Sequence, residues 1–240
     1  MEITNELFEL YKKLIEKIYD SQDSYSEEEV TWFTPGIGKE YNNELMIVGR
    51  ANNGWKTYID KSDRNNMETD LIDVKKQFSE NDMQWVVNQW GNNKFGNGYN
   101  TKKSAFFRLS RRLAEELIER NELVINKIVW SNLYKVGNVN GKNPSSCLKN
   151  VQYDHCRQIL NKELTFFNPK VVIFLTGWNW AKSFLKDSEN LMTTTTNKFV
   201  EFVGKSENAL IIVGQHPQGK PELEHCQEIL NEIKINSFTN

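Results

Sequence analysis

The sequence predicts a mixed α/β fold, drawn as a three-layer α/β/α sandwich around a central, mostly parallel, four-stranded sheet. Three observations carry this. Two stretches, "KVVIFLTG" and "ALIIVGQ", are continuously apolar rather than alternating, as parallel strands covered on both faces are. Strand-like runs alternate with helical patterns along the chain. Four of those runs end in loops that hold a glycine or a sharply polar residue, and open parallel sheets bind ligands beyond the carboxyl ends of their strands.

Residues 5–20 open the chain as an amphipathic helix, with Leu7, Phe8, Tyr11, Leu14, Ile15 and Ile18 recurring at three- and four-residue spacing. The stretch "SYSEEEVTWFTPGIGKEYN" follows, and its Pro35, Gly36 and Gly38 mark a turn-rich approach to the first strand. Strands are predicted at 44–49, 125–132, 170–176 and 209–214, and helices at 104–120, 152–167, 178–185 and 221–235. Pro221 suits the first turn of the last helix, and Glu222 and Glu224 suit its positive end. The run "TTTTNKFVEFVG" at 193–204 predicts a further short strand or hairpin, and 65–82 reads as helix or polar loop. The whole chain, 1–240, is expected to form one domain, with 1–40 as an N-terminal helical extension and 56–100 as a lid or a packed insertion.

At 240 residues the chain can bury a core without staples. Thirty basic and thirty-two acidic side chains leave a net charge of −2, so any attraction for nucleic acid must come from a local patch. Cys147, Cys156 and Cys226 are odd in number and far apart in sequence, which excludes a disulfide framework or a four-cysteine metal site built from them alone. No apolar run nears the roughly 20 residues that span a bilayer, and "MEITNELFEL" is acidic without a leader pattern. The expectation is a cytoplasmic protein with no membrane partner, no metal and no cofactor.

The strand endings supply the candidate site. In "GRANNGW", Gly49 and Gly54 permit close backbone approach or positive φ, Asn52 and Asn53 offer amide donors and acceptors, and Trp55 offers a stacking face. An ordinary strand-to-helix turn with a core tryptophan is the competing account of the same residues. Asn132 closes "KIVWSN", where an amide can make a two-point contact with a base edge. His216 stands before Pro217 in "GQHPQG", on a stiff loop, and histidine is the commonest general acid–base side chain. His155 and His225 lie in helical patterns and read as surface or packing residues. Lys102 and Lys103 precede a helix on which Arg108, Arg111 and Arg112 share one face, able either to meet phosphates or to pair with Glu115 and Glu116. "GRANNG" also fits a loose dinucleotide fingerprint, but no second strand with a terminal acidic residue follows within about 30 residues.

Taken together, "VGRANNG", "VWSN", "NPKVVIFLTG" and "VGQHPQG" resemble, in order, the motifs of the uracil-DNA glycosylase superfamily over about residues 40–235. The resemblance implies that His216 donates a hydrogen bond to the base as the glycosidic bond breaks, that Asn132 reads the base, and that Asn52 positions the attacking water. Trp55, or an aromatic residue of 85–99, would stack on the base, with Gly49, Asn53 and Gly54 completing the loop. Lys102, Lys103, Arg108 and Arg112 would face the nucleic-acid backbone. The implied partner is DNA, a nucleobase or a nucleotide; the implied activity is cleavage of the N-glycosidic bond of uracil or another modified base. A same-fold protein that binds without cleaving is the alternative. The first loop departs from the family in lacking both proline and carboxylate, and "QGKPELEHC" lacks the Ser-Pro wedge that follows His-Pro there.

Overall fold

The computed structural model describes residues 3–52, 54, 58–60, 63–92, 99–185, 191–192, 197–206 and 208–237. In chain order the elements are α1 (Asn5–Asp20), β1 (Val30–Trp32), β2 (Gly36–Ile37), β3 (Leu45–Ala51), β4 (Tyr58–Ile59), α2 (Asn66–Glu80), α3 (Gln84–Asn88), α4 (Ala105–Leu117), β5 (Ile128–Tyr134), β6 (Val136–Asn138), α5 (Ser146–Phe167), β7 (Val171–Leu175), α6 (Trp178–Ala181), β8 (Leu191–Met192), β9 (Val200–Lys205), β10 (Leu210–Gly214) and α7 (Glu222–Ser237). They form two compact units, each assembled from three separated stretches of chain.

The first unit comprises Met1–Pro35, Arg50–Asn81 and Asn132–Phe166. Thr4 caps α1 by accepting the Leu7 N–H at 3.3 Å, and Leu7, Tyr11, Leu14, Ile15 and Ile18 are buried, as the spacing predicts. α1 packs on α2, where Val74 and Phe78 are buried; the Tyr11 and Phe78 rings meet edge to face at 5.4 Å. A three-stranded antiparallel sheet in the order β4-β1-β6 lies in the same unit. Its register sets Val30 opposite Asn138, Thr31 opposite Gly137 and Trp32 opposite Val136. The N-terminal segment is therefore more than the helical extension expected of it: Val30, Thr31, Trp32 and Phe33 are buried and β1 is the middle strand. Within 56–100, α2 is a packed part of this unit.

The second unit comprises Gly36–Gly49, Asp82–Ser131 and Phe167–Asn240. The larger sheet has the order β2-β5-β3-β7-β10-β9-β8. At its centre β3 pairs with β7 and β7 with β10, both parallel, Leu45 and Leu210 flanking Val171. At its edges β2 on β5, β10 on β9 and β9 on β8 are antiparallel. The expected four strands are all present, but among the described residues the sheet has seven. The run "VEFVGK" folds back on β10 through a tight turn in which the Ser206 N–H donates to the Ala209 carbonyl at 2.9 Å, which extends the sheet with an antiparallel edge. Two-residue strands such as β2 leave no sequence pattern to read. The predicted strand at 125–132 begins only at Ile128, because Val124–Lys127 form a 3₁₀ turn. α7 packs on β10 and β9, and on α4.

Candidate functional site

In the first unit the site begins where β3 ends. The strand, predicted to end at Gly49, continues through Arg50 and Ala51, so Gly49 lies buried within β3. Asn53 and Trp55 lie outside the described residues. Gly54 takes φ +71°, a left-handed conformation that favours glycine, and its N–H donates to the Asn138 carbonyl at 3.3 Å. Asn52 is buried at 2% exposure. Its Nδ2 donates to the Thr31 carbonyl at 3.3 Å, and its Oδ1 has no partner.

Gly137 makes this arrangement possible. A Cβ there would stand 2.3 Å from Asn52 Oδ1 and 2.6 Å from the Asn52 carbonyl oxygen. Gly137→Ala is accordingly expected to displace Asn52 and to cost about 1–3 kcal/mol of stability, the usual penalty of overpacking. Urea unfolding checks the cost, and the Asn52 side-chain amide signals in an NMR spectrum check the displacement. An unmoved signal with full stability would show that the backbone yields instead.

Asn132 is on β5, the strand next to β3 in the sheet order, and is 1% exposed. Its Nδ2 has no partner, while its backbone carbonyl accepts from Lys135 Nζ at 2.7 Å. Lys135 is itself fully buried. Its ammonium also donates to Glu163 Oε2 at 2.7 Å, and the Tyr11 hydroxyl donates to Glu163 Oε1 at 2.9 Å. The Lys135 backbone N–H reaches the Cys156 sulfur at 3.3 Å, and burial pushes the Cys156 thiol up to about 12. Burial likewise raises the Tyr11 hydroxyl well above its ordinary value, with Glu163 adding to the shift.

Thr31 Oγ1, Trp32 Nε1, Thr34 Oγ1 and Asn138 Oδ1 are buried without partners in the same unit. Native interiors hold few such atoms, and each costs about 1–3 kcal/mol when it stays unpaired. The sequence reading missed these four. The available signal was polar threonine and asparagine inside short apolar runs, "VTWFT" and "VGN".

In the second unit His216 follows β10 and is half-buried; its Nδ1 accepts the Gln218 N–H at 3.4 Å, which helps fix the ring on its short loop. His225, on α7, is fully buried, the packing residue of the two alternatives its helical pattern offers. Neither ring nitrogen has a partner, Nε2 stands 3.0 Å from where a Gly214 Cβ would be, and the Phe199 ring lies 5.2 Å away. Burial pushes its pKa down to about 4, with Glu228 opposing and Lys220 and His216 assisting.

Lys102 and Lys103 are exposed. Arg108 and Arg112 are engaged by one carboxylate: Glu222 Oε2 accepts from Arg108 Nε at 2.7 Å and Oε1 from Arg112 Nε at 3.0 Å. Arg111 pairs with Glu115 at 2.8 Å and lies over the Trp90 ring at 4.7 Å. Glu222 was read only as a helix-start residue, so its pairing with two arginines is new.

Among the described residues no group of three or more His, Cys, Asp or Glu side chains is placed to hold a metal ion, and no helix is long and apolar enough to cross a membrane. In comparisons with known proteins, no family model matches the chain and no curated protein matches it.

Proposed function

We propose that this chain is a nucleobase-recognising protein of the uracil-DNA glycosylase kind, with the three-layer α/β/α arrangement, that cleaves the N-glycosidic bond of uracil or another modified base in nucleic acid. The observation that carries the reading is a pair of buried amides on neighbouring strands with unpaired atoms: Asn132, inside β5, at Nδ2, and Asn52, just after β3, at Oδ1, which lies against Gly137. A uracil edge presents an N–H between two carbonyl oxygens, and a carboxamide is its hydrogen-bonding complement. A base that pairs with these atoms removes the cost of leaving them dry and unpaired. By the resemblance, His216 is the donor toward the carbonyl oxygen on which charge develops as the base leaves, where a fixed donor helps most. A flipped or unpaired base fits such a site better than one inside a duplex stack. Three free cysteines suit a reducing, cytoplasmic setting.

A second reading, binding without cleavage, is favoured by two observations. The end of β3 and the residue after it, Arg50, Ala51 and Asn52, carry no carboxylate, and an amide orients water without serving as a base. Glu222 also engages both Arg108 and Arg112 and cancels one of their two charges, which weakens the patch expected to meet phosphates beside the exposed Lys102 and Lys103.

Single-turnover assays with excess protein on single- and double-stranded oligonucleotides bearing uracil, hypoxanthine or xanthine separate the two. The expected result is abasic-site formation that falls about tenfold or more in Asn132→Ala and in His216→Ala, in line with the 1–3 kcal/mol of a good base contact. Tight binding without cleavage moves the assignment to the second reading. Neither binding nor cleavage by the folded protein removes both for these bases.

A further inference from the structure

We propose that Lys135 is a positioning residue, held by Glu163 and Tyr11, whose task is to fix the backbone at Asn132 and so aim its amide; the inference rests on the base-reading assignment of Asn132. Asn132 and Lys135 are three residues apart, and the chain bends at Lys135 between β5 and β6. Because of that bend the lysine side chain folds back, and its ammonium donates to the Asn132 carbonyl at 2.7 Å. The same ammonium is tied to Glu163 on α5 at 2.7 Å, and Glu163 in turn accepts from the Tyr11 hydroxyl on α1 at 2.9 Å. The end of β5 is thus tied through one cation to two helices.

The choice of groups is informative. Lys135 and Glu163 are both fully buried. Removing two charges from water is expensive, and well-packed apolar residues of similar volume usually serve stability as well or better. Stability alone therefore does not account for this pair. A carbonyl that must stay in one place does, because an ammonium locked by a carboxylate cannot follow the strand if it shifts. The neighbouring contacts follow the same plan: the Gln152 amide brackets Val136, accepting its N–H at 2.9 Å and donating to its carbonyl at 2.8 Å, and the Phe33 N–H donates to the Lys135 carbonyl at 2.7 Å. The backbone after Asn132 is held by side chains as well as by strand ladders, while the Asn132 side chain keeps an open donor. A site whose reading group must be placed to within a fraction of an ångström needs such support from the residues behind it.

The test uses Lys135→Met/Glu163→Gln, which removes both charges and keeps the volume, beside Asn132→Ala and the triple variant. The first readout is the Asn132 side-chain NH₂ signal in a ¹⁵N-correlated NMR spectrum, identified by its loss in Asn132→Ala. The second is binding of a single-stranded uracil-containing oligonucleotide. A positioning role predicts that the folded double variant shifts or broadens the Asn132 NH₂ signal, binds the oligonucleotide at least tenfold more weakly than the wild type, and loses nothing more when Asn132→Ala is added. An unmoved NH₂ signal in a cooperatively folded double variant overturns the proposal, as does wild-type binding by that variant. If the wild type binds no uracil oligonucleotide but the signal moves, positioning stands and the base-reading function falls, so the two failures are told apart. Should the double variant not fold, Tyr11→Phe loosens Glu163 by removing a single hydroxyl, and the same signal decides.

Discussion

Lys135→Met alone is expected to destabilise the protein by about 3–5 kcal/mol, because it strands the Glu163 carboxylate in a fully buried place. For a chain of this size that corresponds to a fall in Tm of roughly 6–20 °C. Glu163→Gln alone strands the ammonium instead and is expected to cost a similar amount. The double variant is expected to recover most of the loss, since it buries no unpaired charge. The three values form a double-mutant cycle, and urea unfolding of all four proteins measures it. A coupling near zero would mean that water reaches the pair and would remove the argument for a dry clamp behind Asn132. The Tyr11 hydroxyl keeps its bond to Glu163 in Lys135→Met, which partly shields the stranded carboxylate. The expected loss therefore belongs at the lower end if Tyr11 dominates and at the upper end if it does not.

Much of this frame was legible in the residues. β3, β7 and β10 are covered on both faces, and burial on both faces writes a continuous apolar run. α1 writes its single buried face as three- and four-residue spacing. What was not legible is short or distant. β1, β2, β4 and β6 are two or three residues long, too short for any period to show. Lys135 drew no reading from the sequence, because its buried partner Glu163 lies 28 residues on and Tyr11, which bonds Glu163, lies 152 residues before Glu163. Arg108 and Arg112 read as facing phosphates or pairing with Glu115 and Glu116, because Glu222 is more than a hundred residues away in sequence.

The candidate site divides in the same way. Asn132 and Asn52 were found from position, since polar residues at the ends of apolar strands have no structural reason to be there unless they cap a turn or meet a ligand. Their open atoms were not foreseeable, because whether an amide is satisfied depends on what the fold brings to it: the Thr31 carbonyl to one end of Asn52, and the bare face of Gly137 to the other. His216 was found for the same positional reason. His225 was legible only as a surface or packing residue, because a histidine in a helical pattern carries no mark of what its helix covers.

His225 gives the second large expectation, a loss of stability in acid. Its folded pKa of about 4 lies below the ordinary value of 6.5. Above that ordinary value neither state carries the proton and His225 is neutral to stability. Between the two values the unfolded chain takes up a proton that the folded chain refuses, so stability falls as the pH falls through this window and the loss levels off near the folded pKa. The full loss is about 3 kcal/mol, the shift converted at about 1.4 kcal/mol per unit. His225→Leu is expected to cancel this part of the pH dependence. It is also expected to match or exceed the wild type at neutral pH, since it removes two buried nitrogens that have no partner. Urea midpoints of both proteins at pH 5, 6 and 7 supply the difference curve, in which the titrating carboxylates largely cancel. A variant curve parallel to that of the wild type would show that the buried ring takes its proton without penalty. The result also bears on function. His225 sits against Gly214, the last residue of the strand that leads into His216. If the proposed base binding or cleavage is found and falls below about pH 6, it is to be measured in His225→Leu as well, where a surviving fall belongs to groups other than His225 and a vanished one to the loosening of that strand end.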